Sequence, residues 1–272
     1  MHSQARMTLI HVPTASLRIA PQRRFYGTVQ AIAMDCSAAL VAREEWELPE
    51  LGQSSTLSKV HVFWVRLDGS GNDTVGVFAG REAMVIGDRR NLRYYDWQVR
   101  PMWRSDGRVV YYGPGDRPEV RVLRGSRLVR IIRWDAQRRP MSEGEWEYYE
   151  SVRQHLIAHD PGTAQVYLPR NGHPRAEEPK PLYDEMMIDE LGYIWVRQTM
   201  YPSREMGFER RLPHPQRWWI FDREGRWLGD IETPARLQIV DLGDEFLLGV
   251  SEDEYGVEMV QSHRIRRSGP VP

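Results

Sequence analysis

The feature that most constrains this chain is a recurring pair of short apolar runs joined by a polar turn. It occurs at residues 31–43 (AIAMDCSAALVAR), 101–112 (PMWRSDGRVVYY), 186–198 (MMIDELGYIWVRQ) and 239–251 (IVDLGDEFLLGVS). Asp35, Asp106, Asp189 and Asp244 mark the turns. Asp and Gly accept the backbone angles a tight turn demands. Two β-rich runs on either side of such a turn spell a hairpin.

Each unit is followed by further strand material: VHVFWVRLDGSGNDTVGVF at 60–78, EVRVLRGSRLVRIIRW at 119–134, RWWIFDREGRWLGDIETP at 217–234, and GVEMVQSHRIRR at 256–267. Two hairpins make a four-stranded antiparallel sheet, and repeating that sheet is the signature of a β-propeller. The pattern predicts an all-β propeller with four to five visible blades, starting near 31, 101, 186 and 239. Segments 8–20 and 84–98 offer further strands. The expected organisation is a segment 1–24 that pairs with the last blade, a propeller domain over 25–267 with an insertion at 136–180, and a disordered tail at 268–272.

One segment breaks the strand grammar. Within RRPMSEGEWEYYESVRQHLIAHDPG, Ser142 and Glu145 form the S-x-x-E capping box, and Met141 and Trp146 flank it as a hydrophobic staple. Trp146, Tyr149, Val152 and Leu156 recur at three- and four-residue steps and give one apolar face. The spacing predicts a helix over 143–158, ended before Pro161-Gly162. The following LPRNGHPRAEEPKP, with four prolines, reads as an extended loop.

Composition narrows the function classes. The 37 basic and 38 acidic residues give a net charge of −1, which argues against a general polyanion binder and therefore against nucleic acid as partner. Cys36 is the single cysteine, so an intramolecular disulfide and a cysteine zinc site are excluded. No run approaches the roughly 20 apolar residues that span a bilayer. No apolar signal-peptide core is visible near the start, so a cytoplasmic location follows if the start is the true one.

The stretches W-x-x-F-D-x-x-G-x-x-L-G at 218–229, I-D-x-x-G-x-x-W-V-R at 188–197, and L-L-G-V-x-x-D-E-x-G-V-E at 247–258 resemble a bacterial six-bladed β-propeller family, similar to the NHL-repeat and TolB-like propellers. R-P-E-V-R-V-L followed by L-V-R-I-I-R-W and a short helix fits the same family's middle section. The resemblance runs over roughly 25–267. It implies a six-bladed architecture and a periplasmic or secreted location. It implies little about function. The chain departs from that pattern in lacking an export leader and in showing four clear units instead of six, as an N-terminally truncated member with an open ring would.

The turn Asp68–Asp73 starts like a calcium loop but has alanine at position 79 where the closing acid belongs, so a plain hairpin turn is preferred. His155 and His159 share a helical face, yet Leu156 stands where a zinc-protease motif needs glutamate, so a surface pair is preferred. No nucleophile elbow, Walker loop or dinucleotide fingerprint appears, and no cofactor or metal is assigned. Trp195, Trp218, Trp219 and Trp227 are read as core packing before a ligand platform. Propeller geometry brings strand ends together at a channel mouth, which nominates Glu119, Arg121, Asp189, Arg197, Asp253 and Glu258 as ligand-binding candidates, with inter-blade salt bridges as the alternative. Arg197 is expected either to reach a channel mouth or to pair with a carboxylate of its own or an adjoining blade, Asp189 and Glu119 being possible partners. The expected function is a non-catalytic module binding an unknown protein or small-molecule ligand. The rival is a lactonase- or lyase-like hydrolase with a channel-centred metal.

Overall fold

The computed structural model describes residues 29–34, 38–46, 55–66, 68–85, 92–94, 99–106, 109–159, 179–199, 214–253 and 257–266. The expected N-terminal segment 1–24, the tail 268–272, Asp35 and Cys36 lie outside them. The described residues form four antiparallel sheets, each a simple meander in which consecutive strands are neighbours.

The first sheet contains β1 (Val29–Met34), β2 (Ala38–Trp46), β3 (Ser55–Arg66), β4 (Asn72–Val85) and β5 (Leu92–Tyr94). The second contains β6 (Met102–Ser105), β7 (Val110–Gly113), β8 (Glu119–Arg124) and β9 (Arg127–Arg133). The third contains β10 (Tyr183–Ile188), β11 (Ile194–Gln198), β12 (Gln216–Phe221) and β13 (Trp227–Thr233), and the fourth β14 (Gln238–Leu242), β15 (Phe246–Glu252) and β16 (Glu258–Arg264). The sheets begin close to where the repeated hairpins placed them.

Side-chain alternation along a strand explains how the sheets stack, because successive residues point to opposite faces. On β7, Val110 and Tyr112 join Leu40, Ala42, Val60, Val62 and Val75 of the first sheet. Tyr111, one residue out of phase, joins Tyr183, Met186, Ile194, Val196 and Phe221 of the third. On β11, Ile194 and Val196 face the second sheet, while Trp195 faces Leu237, Ile239, Leu242 and Leu247 of the fourth. The middle sheets are therefore apolar on both faces, and three seams join four sheets in chain order. Each seam also encloses one indole N–H that has no acceptor among the described residues, on Trp103, Trp134 and Trp218 in turn.

Burial in the second and third sheets is greatest at the second strand and least at the last. β7 is buried along its whole length, whereas β9 buries only Ile132. β11 is buried at four of five positions, whereas β13 buries only Thr233. The initial strands lie close together, β6 running beside both β1 and β10. The final strands β9, β13 and β16 are largely exposed and form a rim.

The helix α1 (Glu143–His159) starts where the capping box placed it. The Ser142 N–H donates to Glu145 Oε2 at 2.8 Å, and the Glu145 N–H donates to Ser142 Oγ at 3.4 Å. The two arms of the insertion meet at its base: the Lys180 N–H donates to the Arg139 carbonyl at 3.1 Å, and Arg138 Nε donates to the Lys180 carbonyl at 2.9 Å. Glu145, buried beneath the helix start, takes two hydrogen bonds from Arg139 (2.7 and 3.0 Å) and an ion pair from buried Lys180.

Candidate functional site

A single five-residue turn, Asp-x-x-Gly-x, is used three times. In Asp189–Tyr193 the aspartate N–H donates to the carbonyl of the fifth residue at 3.1 Å, and that residue's N–H donates back to Asp Oδ1 at 2.8 Å. Asp222–Arg226 repeats the pair at 2.9 and 2.8 Å, and Asp253–Val257 at 3.1 and 2.9 Å. Gly192 and Gly225 sit at φ of 80° and 85°, which disfavours a residue carrying a Cβ. This turn is the physical content of the three family-like stretches.

Asp189 is therefore a turn clamp. Beyond the reciprocal bond it accepts the Leu191 N–H at 3.0 Å and the Trp195 indole N–H at 3.2 Å. Asp253 does the same work at the β15–β16 turn, and Glu258 sits exposed on β16. Asp106 plays a shorter version in the second sheet, accepting the Val109 N–H at 3.0 Å and the Tyr111 hydroxyl at 3.2 Å.

Arg197 is 5% exposed and fully engaged. Its Nε donates to Asp184 Oδ1 at 2.7 Å, and its Nη1 reaches Glu185 Oε2 at 2.8 Å and Gln216 Oε1 at 3.0 Å. Gln216 in turn donates to the Leu237 carbonyl at 2.9 Å, linking the third sheet to the fourth. The guanidinium lies 5.7 Å from the centre of the Trp218 ring. Burial works against the guanidinium's charge, and the two carboxylates outweigh it. The expected carboxylate partner exists, but it is neither Asp189 nor Glu119. Strand register decides this: Glu185 is directly opposite Arg197 on β10, and Asp184 sits at the bulge beside it.

Glu119 is the reverse case, a buried carboxylate held by arginines. It accepts from Arg121 Nε at 2.6 Å and from Arg133 Nε at 2.9 Å, and its main-chain carbonyl accepts the Tyr183 hydroxyl at 2.6 Å across the seam. Burial raises its carboxyl, but the hydrogen bonds from Arg121 and Arg133 prevail and hold it below the usual carboxylate range. The same logic recurs at Glu44, bound by Ser58 at 2.6 Å and by Arg81 Nε at 3.0 Å.

Among the six candidates the structure joins Glu119 and Arg121 on β8; Asp189 and Arg197 belong to the third sheet, Asp253 and Glu258 to the fourth. Of the tryptophans, Trp195 and Trp218 are buried in one seam, Trp219 packs against another, and Trp227 is 60% exposed on β13. His155 and His159 stack with ring centres 4.1 Å apart on the exposed side of α1. Asp68 caps the β3–β4 turn by accepting the Ser70 N–H at 2.8 Å. Among the described residues, no three His, Cys, Asp or Glu side chains are grouped to hold a metal ion, and no helix is long and apolar enough to cross a membrane.

The described residues thus form a mostly β structure of four stacked antiparallel sheets with one helical insertion. No family model matches the chain. No curated protein matches it. Among solved structures it shows a likeness to the AfRom2 CNH domain, at 9% identity and a TM-score of 0.31, over 89% of this chain and 65% of that one. This chain spans less than two thirds of that domain structure, and a likeness at this TM-score carries no weight here.

Proposed function

We propose that the chain is a propeller-type binding module, and that its contact surface is the rim of outer strands. The observation that carries this reading is the division of roles between strands. The inner strands bury both faces in seams and hold their charges in internal pairs, as at Arg197. The outer strands β9, β13 and β16 instead expose Leu128, Val129, Ile131, Trp227, Leu228, Ile231, Met259 and Val260. Apolar side chains gathered on exposed edge strands are a docking surface in waiting. Converging initial strands and face-to-face stacking support the propeller arrangement.

Two measurements test the proposal. A crystal or cryo-electron microscopy structure is expected to show the sheets fanned around one axis with β1, β6, β10 and β14 innermost. Elemental analysis of the purified protein, with assays on ester and lactone substrates, is expected to show no stoichiometric metal and no turnover. A metal bound one to one, whose removal abolishes hydrolysis, would overturn the binding-module reading in favour of an enzyme.

A further inference from the structure

We infer that the outer edge of β9 receives an extended, acidic peptide segment of a protein partner by strand addition; this rests on, and sharpens, the binding-module reading above. β9 ends its sheet, so half of its backbone N–H and C=O groups face outward without a strand among the described residues. Six of its seven residues are exposed, with Leu128 at 46% and Val129 at 45%. This seven-residue edge carries no proline and exposes aliphatic residues, and its protection against pairing is the charge of Arg127, Arg130 and Arg133, which an added strand has to neutralise.

Charge specifies the occupant. The β8–β9 hairpin places an arginine at every third position: Arg121, Arg124, Arg127, Arg130 and Arg133. Its single acid, Glu119, is already held by Arg121 and Arg133. Arg130 donates to the Arg223 main-chain carbonyl, and no carboxylate among the described residues forms an ion pair with it. Register sets Arg124 directly opposite Arg127. Like charges facing each other across a strand pair are destabilising, and neither of these two has an acidic partner among the described residues. A carboxylate arriving at the hairpin tip relieves that repulsion. The other rim strands differ: Asp230 on β13 is neutralised by Arg217, and β16 mixes Glu258 with Arg264. In strand addition the main-chain bonds supply affinity and the side chains supply selectivity, so an alternating acidic and aliphatic segment is the matching ligand.

The test uses the full chain and a fluorescein-labelled peptide alternating Glu with Val and Ile. Three comparison probes are the same peptide N-methylated at alternate backbone nitrogens, a Lys-for-Glu version, and a labelled single-stranded oligonucleotide. Anisotropy is expected to show binding of the acidic peptide at micromolar concentration, weakened at least about tenfold by N-methylation, by Lys-for-Glu exchange, and by the Arg124→Glu/Arg127→Glu variant. Both substituted residues are exposed, so the variant's melting temperature serves as its folding check. The inference is overturned by no binding, by binding that the variant leaves unchanged, or by an N-methylated peptide and an oligonucleotide that bind as well as the parent, which would make the edge a general anion patch. None of these outcomes bears on the metal and turnover assays, so the site can fail while the binding-module reading stands.

Discussion

The third sheet contains the same turn twice, at Asp189–Tyr193 between its inner strands and at Asp222–Arg226 between its outer ones, and the two copies differ in which residue matters. Asp189 is buried and, besides the turn-closing Tyr193 N–H, accepts the Leu191 N–H and the Trp195 indole N–H. Asp222 serves one backbone donor and an ion pair with exposed Arg226 at 3.2 Å. The glycines reverse the ranking. A Cβ on Gly192 would meet only Arg223 Cβ at 3.6 Å, an ordinary contact, whereas one on Gly225 would fall 2.5 Å from Ile132 Cγ1 of the neighbouring sheet. The inner copy is fixed by its polar clamp, and the outer copy by its packing against β9. Identical local chemistry thus acquires its energetic weight from what surrounds it.

The contrast between interior and rim can be broken by substitution. The largest effect is expected at Arg197, whose removal strands Asp184 and Glu185: Arg197→Ala should cost about 3–5 kcal/mol in urea unfolding. A melting temperature unchanged from wild type would mean that the arginine is not part of the framework. Asp189→Ala should follow at about 2–3 kcal/mol, since buried donors lose their acceptor. Gly225→Ala should cost about 2 kcal/mol through overpacking and positive φ together, against about 1 kcal/mol for Gly192→Ala. If Gly192→Ala proves the more damaging of the two, the packing of the outer turn on Ile132 is misassigned. Asp222→Ala should cost less than about 1 kcal/mol, as solvent-facing pairs do.

Acid offers a further probe of an interior contact. Burial opposes ionisation of Glu145, but hydrogen bonds from Arg139, Lys180 and Ser142 outweigh it and hold the carboxyl at about 2 instead of 4.5. A depressed carboxylate stabilises the fold above its unfolded value and ceases to do so as pH falls through its folded value. The attachment of α1 should therefore be intact above about pH 4.5 and weaken between there and pH 2. Helical circular dichroism should track that window in the wild type, and Glu145→Gln should flatten it.

What the sequence revealed follows distance along the chain. Hairpins, the Ser142–Glu145 box and the start of α1 depend on neighbours within a few residues, and all are present. The pairing of Lys180 with Glu145 spans 35 residues, across a proline-rich stretch of sequence, so no local pattern announces it. Arg197 was legible as a charge needing a partner, but choosing Glu185 over Asp189 requires the β10–β11 register and its bulge between Tyr183 and Glu185. The threefold Asp-x-x-Gly turn is visible in the sequence, inside the stretches that carry the family resemblance, but its reciprocal hydrogen bonds emerge only from the backbone geometry. The basic edge of β9 was masked by the balanced net charge, because averaging over 272 residues hides a hairpin with five arginines and one acid.

The central claim is that stability resides in the inner strands and contact in the outer ones, and amide hydrogen exchange with mass spectrometry measures that division strand by strand. Buried strands with both faces covered should open only in near-global unfolding, and exposed edges should open locally. Peptides covering Val110–Gly113 and Ile194–Gln198 are expected to exchange slowest, and those covering Arg127–Arg133, Trp227–Thr233 and Glu258–Arg264 faster by orders of magnitude. Equal protection across all five strands, or slower exchange at the rim, would show that stability is not concentrated in the inner strands.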